Sequence, residues 1–167
     1  MPLPDDLLEQ ARHLANRERR RPKQASLRRA VSTAYYALFH LLIKETTRNW
    51  RIAEQRPLLA RHFEHRRMKD VSEQQCRWCE KELLSPRITK SQKEQLRQLL
   101  RVAETFVQAQ HHRHVADYDN TKQWTRTQAL MVVRQVEDAF ESCRRLRSKK
   151  ASEAYLLSLL IGRQKNV

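Results

Sequence analysis

The chain has 167 residues, of which 40% are hydrophobic, and this content is enough for one sizeable core. Its single glycine leaves few sites for the tight turns that all-β folds use repeatedly, and it excludes glycine-rich phosphate-binding loops. Lys and Arg number 34 against 19 Asp and Glu, which gives a formal charge of +15. We therefore expect an all-α fold in one domain, residues 1–167, with nucleic acid as the leading class of partner. An anionic membrane surface or an acidic protein is the alternative.

The start of the chain, MPLPDDLLEQ, is acidic where a secretory signal would be basic. No apolar run approaches the roughly 20 residues of a membrane span. We therefore expect a cytoplasmic protein that is not associated with a membrane. The cysteines are odd in number and too few for a disulfide framework, so reduced thiols are expected. They are Cys76, Cys79 and Cys143.

Five helices and a shorter final one are predicted along the chain. The first begins near Asp5 and stops near Pro22, and the second runs from about Gln24 to Thr47. Apolar residues of the second helix recur at three- and four-residue steps, so they form one buried stripe. They are Leu27, Val31, Ala34, Leu38 and Leu41. We expect this helix to be the centre of the core.

Between these two helices lies the segment RERRRPK, residues 17–23, with five cations in seven positions. A helix C-terminus favours cations through its dipole, and an external phosphate would favour them too. The segment is therefore predicted either to contact a polyanion or to be a solvated charged turn.

The third helix is predicted from Pro57 to Leu84, with a break or bend near residues 70–72. The fourth starts near residues 89–91 and presents an apolar face as far as Val107. Both helices are expected to contribute to the same core as the second.

A polar interval, residues 108–124, precedes a fifth helix, which begins at about residues 125–127 and ends in a basic run. The core is thus expected to span about residues 5–147. The last segment, residues 151–161, is predicted to be a short helix that is too apolar to be left in water. It either packs back on the other helices or buries itself against a second subunit.

Cys76 and Cys79 form a CxxC pair, and three histidines follow at His111, His112 and His114. Structural zinc sites use four such ligands, but their CxxC pair usually lies in a glycine-containing turn. This pair is predicted to be helical, and no second close pair of cysteines follows. We interpret the cysteines as packing residues and expect no metal and no cofactor.

Arginine and histidine together suggest a second kind of chemistry. Metal-independent RNA cleavage needs a group that titrates near neutral pH and a fixed cation for the developing phosphorane charge. Two segments offer the pair: RPLLARHFEH, residues 56–65, and HHRHVADYD, residues 111–119. In each, a basic solvated helix end is the alternative interpretation.

Three segments together resemble the HEPN domains of prokaryotes. The stretch RRAVSTAYYALFH, residues 28–40, is similar to that family's second-helix signature. The stretch RHVADYD, residues 113–119, is similar to the family's arginine segment before its last long helix. HFEHRRMKD, residues 62–70, resembles one branch of the family. The segments occur in the family's order, and the resemblance covers roughly residues 5–147.

The resemblance implies a bundle of four to five antiparallel helices plus a short C-terminal helix, usually dimerised along the face that bears the site. Many members of the family are metal-independent ribonucleases of toxin-antitoxin, phage-defence or CRISPR systems. Others pair with a small nucleotidyltransferase or bind nucleotides without cutting RNA. A homodimer is therefore expected, with a nucleotidyltransferase or an antitoxin as possible partner protein. In the nuclease branch a histidine follows the arginine by four to six positions, whereas the fifth position after Arg113 is Tyr118.

The first hypothesis is a non-catalytic or weakly active HEPN module that binds RNA, a nucleotide or a partner protein through a basic groove. Stacking tyrosines and fixed cations suit an unpaired nucleotide. The residues expected to line the groove are Arg28, Arg29, Tyr35, Tyr36, His40, Arg113, Asp117 and Tyr118.

The second hypothesis is a metal-independent endoribonuclease. In it, Arg113 stabilises the phosphorane, and His112, His114 or the neighbouring His111 replaces the missing histidine. The third is a purely structural or interaction bundle, in which residues 113–118 only clamp the second predicted helix to the fourth.

Overall fold

A computed structural model describes residues 2–162, so that Met1 and residues 163–167, at the two ends of the predicted domain, lie outside the described residues. The described residues form seven α-helices and no strand, which confirms the predicted all-α fold with a short C-terminal helix. In chain order the helices are α1 (Leu3–Asn16), α2 (Gln24–Arg48), α3 (Arg56–Ala60), α4 (His65–Leu83), α5 (Lys90–Tyr118), α6 (Arg126–Arg145) and α7 (Lys150–Ile161). None of these helices is both long and apolar enough to span a membrane.

The described chain divides into two compact units. Unit 1 contains residues 2–40 and 105–140, and unit 2 contains residues 41–104 and 141–162. Helices α2, α5 and α6 each contribute to both units, whereas α1 belongs to unit 1 and α3, α4 and α7 belong to unit 2. Every candidate site residue taken from the resemblance lies in unit 1.

The predicted apolar stripe of α2 is buried along its whole length, from Leu27 to Leu41. Burial of a leucine or valine side chain contributes about 1.5–3 kcal/mol relative to leaving it in water. In proteins, most of the stability of a helix comes from packing of its buried face and not from intrinsic helix propensity. Burial of the stripe is therefore the main stabilising contribution to α2.

Helix α1 is shorter than predicted, since it ends at Asn16 and not near Pro22. Its buried side chains include Ala11 and Ala15. No apolar residue follows within residues 17–21, so a further helical turn would bury nothing and would only bring cations together.

The break in the third predicted helix lies at residues 61–64, so the prediction of a bend near residues 70–72 was wrong. Within α4, Val71 and Ser72 are buried, and the hydroxyl of Ser72 donates a 2.7 Å hydrogen bond to the carbonyl oxygen of Met68. The Ser72 hydroxyl is therefore hydrogen-bonded within α4, and the helix continues through this polar stretch without a bend.

Helix α5 extends to Tyr118, so the predicted polar interval is helical over residues 108–118. Ala109 and Ala116 are both buried, which keeps one side of this last part of α5 against unit 1. The apolar periodicity is too sparse here to be recognised from the sequence. Because α5 continues to Tyr118, the histidines and the arginine of this interval lie on a helix and not in a loop.

Helix α7 packs on α4 in unit 2. Tyr155 and Leu159 are buried, and the hydroxyls of Tyr155 and Ser72 form a 2.8 Å hydrogen bond. Leu157 and Ile161 remain more than half exposed. Of the two predicted alternatives for the final helix, packing within the chain is therefore observed.

The three cysteines, Cys76, Cys79 and Cys143, are unbridged, as predicted, and all belong to unit 2. Burial raises the pKa of Cys76 and the pKa of Cys143 to about 12 in each case. Both thiols are therefore protonated at neutral pH.

The packing of α7 is testable with two leucines of the same helix. Leu159 is 0% exposed and Leu157 is 54% exposed. Leu159→Ala should lower the free energy of unfolding by about 2–5 kcal/mol, since it removes buried methyl groups and leaves a cavity. Leu157→Ala should change it by less than about 0.5 kcal/mol. Urea denaturation followed by circular dichroism measures both, and equal losses would contradict this packing.

Candidate functional site

The guanidinium of Arg28 on α2 donates hydrogen bonds to backbone carbonyls near the end of α5. Its Nη1 donates to the carbonyl oxygen of Ala116 at 2.8 Å, and its Nη2 donates to the carbonyls of Asp119 and Lys122 at 2.9 and 2.7 Å. The Ala116 carbonyl is in the last turn of α5, where carbonyls lack helical partners. Arg28 therefore fixes the end of α5 and the connection that follows it.

Arg113 on α5 has two polar neighbours in unit 1, Tyr36 and Asp117. Its Nη2 donates to the hydroxyl of Tyr36 at 3.0 Å, and its Nε lies 2.9 Å from Oδ2 of Asp117, one helical turn later. The Nε–H is not aligned for a hydrogen bond with that carboxylate, so the attraction is chiefly Coulombic. Ser32 also donates to Asp117 Oδ2, at 3.3 Å. The side chains of Arg113 and Asp117 are only 24% and 22% exposed.

Two tyrosine rings flank the guanidinium of Arg113. Its Cζ lies 5.6 Å from the ring centroid of Tyr36 and 5.7 Å from that of Tyr118, within the range of cation–π attraction. Tyr118 is 64% exposed, and the ring of His114 lies 5.0 Å from its ring. We call Tyr36, Arg113, Asp117 and Tyr118 the Arg113 cluster. It combines a fixed cation with an accessible aromatic ring.

Tyr35 does not have the surface position that the groove hypothesis gave it. Tyr35 is 0% exposed, and its ring contacts Phe39 and Phe106 at centroid distances of 6.1 and 5.6 Å. Tyr35 is therefore a core residue, and burial raises its pKa. His40 is half-buried with its ring edge-on to Phe39 at 5.4 Å, and burial lowers its pKa.

Arg29 is exposed on α2. It follows Arg28 directly, so the two side chains leave the helix about 100° apart. Arg29 is thereby available to solvent, whereas Arg28 is engaged by the backbone.

His112 is directed to Trp124 and not to the Arg113 cluster. The two rings are nearly perpendicular, with centroids 5.9 Å apart, and Nζ of Lys122 lies 5.6 Å from the Trp124 ring centroid. Burial, followed by the nearby charges of His111 and Lys122, lowers the pKa of His112. Since the unperturbed pKa is about 6.5, His112 is neutral at pH 7.

A reciprocal bridge from Gln24 to Trp124 belongs to the site but was missed by sequence reasoning. The Gln24 side-chain amide donates to the Trp124 carbonyl at 2.8 Å, and the Trp124 backbone N–H donates to Gln24 Oε1 at 2.9 Å. These residues are 100 positions apart, and no local pattern pairs a glutamine with a tryptophan backbone. The bridge ties the start of α2 to the α5–α6 connection.

Metal ligation is not supported by the arrangement. Within residues 2–162, no three or more His, Cys, Asp and Glu side chains are grouped so that they could hold a metal ion. Cys76 and Cys79 belong to unit 2, whereas the histidines at positions 111, 112 and 114 belong to unit 1.

Replacement of Asp117 tests the stabilising role of the Arg113 cluster. Asp117→Ala should lower the free energy of unfolding by about 1–3 kcal/mol, since it leaves the mostly buried Arg113 without its counter-charge. Asp138→Ala is the matched control, because Asp138 is an exposed helical aspartate of the same unit. Thermal melts of both variants make the comparison, and equal stability of the two would remove the stabilising role.

The half-buried imidazole of His112 predicts a loss of stability in acid. Its folded-state pKa is lowered, so below about pH 6.5 the unfolded chain binds the proton more readily than the native chain does. The contribution is fully present above that pH and is lost as the pH falls. His112→Gln should therefore lose less melting temperature between pH 8 and pH 5 than wild type, and the exposed His13→Gln should behave as wild type. Identical pH profiles for all three proteins would contradict the half-buried position of His112.

Comparisons with known proteins give this site no assignment: no family model, no curated protein and no solved structure matches the chain. The chemistry of the site rests on its geometry. That geometry can orient a base or a phosphate, while both of its charged members are already paired with each other.

Proposed function

We propose that the chain is a non-catalytic, HEPN-type module that binds single-stranded RNA, with the Arg113 cluster as the place where an unpaired base is held. The observation that carries this proposal is the ring of Tyr118, which is 64% exposed while it lies against the guanidinium of Arg113. A base stacked on such a ring contributes about 1–3 kcal/mol to binding.

Arg113 supports this use because it is already ordered. Tyr36 and Asp117 hold its guanidinium, so little side-chain freedom is lost when a ligand arrives. Its charge is largely balanced by Asp117, however. The cluster therefore orients a nucleotide, and the general attraction to RNA comes from the other cations of a chain with a net charge of +15.

RNA fits this site better than an acidic protein does. An acidic protein needs cations alone, whereas the exposed Tyr118 ring beside Arg113 offers a surface for a base, and sequence-tolerant RNA binding commonly combines both features. His112 contacts Trp124, and the position five after Arg113 is a tyrosine, so the module is proposed to bind without cutting.

A metal-independent endoribonuclease is the second candidate, and one observation favours it. His114 and Arg113 both contact the ring of Tyr118, at 5.0 and 5.7 Å, so an acid–base group and a cation share one neighbour. In this alternative, Arg113 stabilises the phosphorane and His114 transfers the proton.

The proposal keeps the cytoplasmic toxin-antitoxin or defence setting that the HEPN resemblance implies, with a nucleotidyltransferase or an antitoxin as the partner protein. It also keeps the homodimer.

The proposal is tested by fluorescence anisotropy with a labelled twelve-nucleotide oligouridine. Tyr118→Ala should weaken binding by about 5- to 100-fold, since it removes the stacking surface. Tyr118→Phe keeps the ring and should bind like wild type, and a thermal melt of each variant checks that it is folded. Equal affinities of all three proteins would remove stacking at Tyr118, and an affinity that does not change between 50 and 500 mM salt would remove RNA binding through cations.

The second candidate is tested by incubating the same oligouridine in EDTA with wild type, Arg113→Ala and His114→Ala. The products are then run on a denaturing gel. Cleavage by wild type that is lost in both Arg113→Ala and His114→Ala would replace the binding proposal by the nuclease, and intact RNA in every lane removes the nuclease.

A further inference from the structure

The loop between α1 and α2, residues 17–23, is the densest group of cations in unit 1. We call it the basic loop. It contains four arginines and one lysine in seven positions, and all five are exposed. Glu18 is its one acid. The loop lies outside the Arg113 cluster, so the orienting role proposed above does not account for it.

The backbone of the basic loop is fixed by an arginine from another helix. Arg126, at the start of α6, donates from Nη1 to the carbonyl of Arg19 at 3.0 Å and from Nη2 to the carbonyl of Glu18. A solvated charged turn would have these carbonyls in water. Here the loop is held in one conformation with its cationic side chains outside.

The acid of the basic loop is used internally. Glu18 accepts a 2.8 Å hydrogen bond from the hydroxyl of Ser26 and a 3.3 Å hydrogen bond from the backbone N–H of Lys23. The hydrogen bond from Ser26 is the main cause of its lowered pKa. Glu18 is thus bound to the start of α2, where it stabilises the loop. Its charge offsets one of the five cations, so the loop keeps a net charge of +4 (5 − 1).

Three adjacent arginines remain, Arg19, Arg20 and Arg21. Their side chains have no hydrogen-bond or ion-pair partner among residues 2–162. Neighbouring like charges repel, and holding the backbone prevents the loop from spreading them apart. A polyanion relieves this repulsion and gains entropy when its condensed counterions are released.

The basic loop and the Arg113 cluster belong to one hydrogen-bonded end of unit 1. Arg126, which holds the loop, lies two residues after Trp124, which is bridged to Gln24 at the start of α2. Arg28 then ties α2 to the carbonyl of Ala116, directly before the Arg113 cluster member Asp117. The two surfaces are therefore fixed relative to each other.

Their separation can be read along α2. Gln24 begins the helix beside the loop, and Ser32, eight residues later, bonds Asp117. Eight helical residues span about 12 Å, which corresponds to roughly three or four stacked nucleotides of one strand. This axial distance sets the scale of a strand that contacts both surfaces.

We infer that the basic loop binds the phosphate backbone of the same RNA strand whose base stacks on Tyr118, so that the ligand is an oligonucleotide of at least about four nucleotides. This inference rests on the proposed function and names its ligand class. The loop supplies salt-sensitive affinity, and the Arg113 cluster supplies the stacking contact.

The test compares two variants that lose the same charge. The loop variant carries Arg19→Gln, Arg20→Gln and Arg21→Gln. The control variant removes three exposed arginines of unit 2, with Arg77→Gln, Arg97→Gln and Arg101→Gln. All substitutions are at exposed positions, so melting temperatures should match wild type, and a variant that melts early is replaced by the corresponding Arg→Gln single changes.

The affinity for a twelve-nucleotide oligouridine is measured from 50 to 500 mM salt. Each neutralised phosphate of a single strand contributes about 0.7 to the slope of log affinity against log salt, so the loop variant should lose about 2 from that slope. The control variant should keep the wild-type slope. Wild type should also gain more affinity than the loop variant when the strand is lengthened from three to twelve nucleotides.

The outcomes separate this inference from the proposed function. No binding of RNA by wild type would overturn both. Binding that depends on Tyr118 but falls equally in the loop and control variants would overturn the loop and leave the function. Binding that depends on the loop but not on Tyr118 would overturn the shared strand. Phosphatidylserine vesicles that displace RNA from wild type, and do so less from the loop variant, would overturn RNA as the occupant.

Discussion

The hydrogen bonds of Arg28 are the constraint on which the candidate site depends. One guanidinium satisfies the carbonyls of Ala116, Asp119 and Lys122, which the end of α5 and the following turn leave without helical partners. Two of these hydrogen bonds are part-buried and one is exposed, and together they help to fix the end of α5 and the turn after it. Asp117 and Tyr118 follow Ala116 directly. The geometry around Arg113 is therefore set by a residue that belongs to another helix.

In the proposed function, the Arg113 cluster both stabilises unit 1 and contacts the ligand. Asp117 and Tyr36 hold Arg113, and this pairing favours the clamp that the sequence also suggested. A clamp and a binding site are compatible, because an ordered guanidinium presents a defined surface and only Tyr118 has to meet the ligand. The cost is that a neutralised pair attracts polyanions weakly. Long-range attraction must then come from unpaired arginines elsewhere, and the loop before α2 has three in a row.

The sequence predicted the features that depend on local periodicity. The buried stripe of α2 follows from a period of 3.6 residues. Tyr35 was placed on the wrong side, although it lies four residues after Val31 and three before Leu38 and therefore adjoins the buried stripe. The end of α5 could not be predicted, since it depends on a donor that is 88 positions away in the chain. The bridge from Gln24 to the Trp124 backbone is tertiary in the same sense.

The positions of the three cysteines allow the opening of unit 2 to be followed by thiol modification. All of them lie in unit 2, and none of the residues of unit 1 is a cysteine. A thiol reacts with alkylating reagents as the thiolate, and burial holds the pKa of Cys76 and of Cys143 at about 12. Modification at neutral pH is therefore slow in the folded chain, and opening of unit 2 should accelerate it. Alkylation kinetics would report the local unfolding of one half of the chain while the half with the candidate site gives no signal.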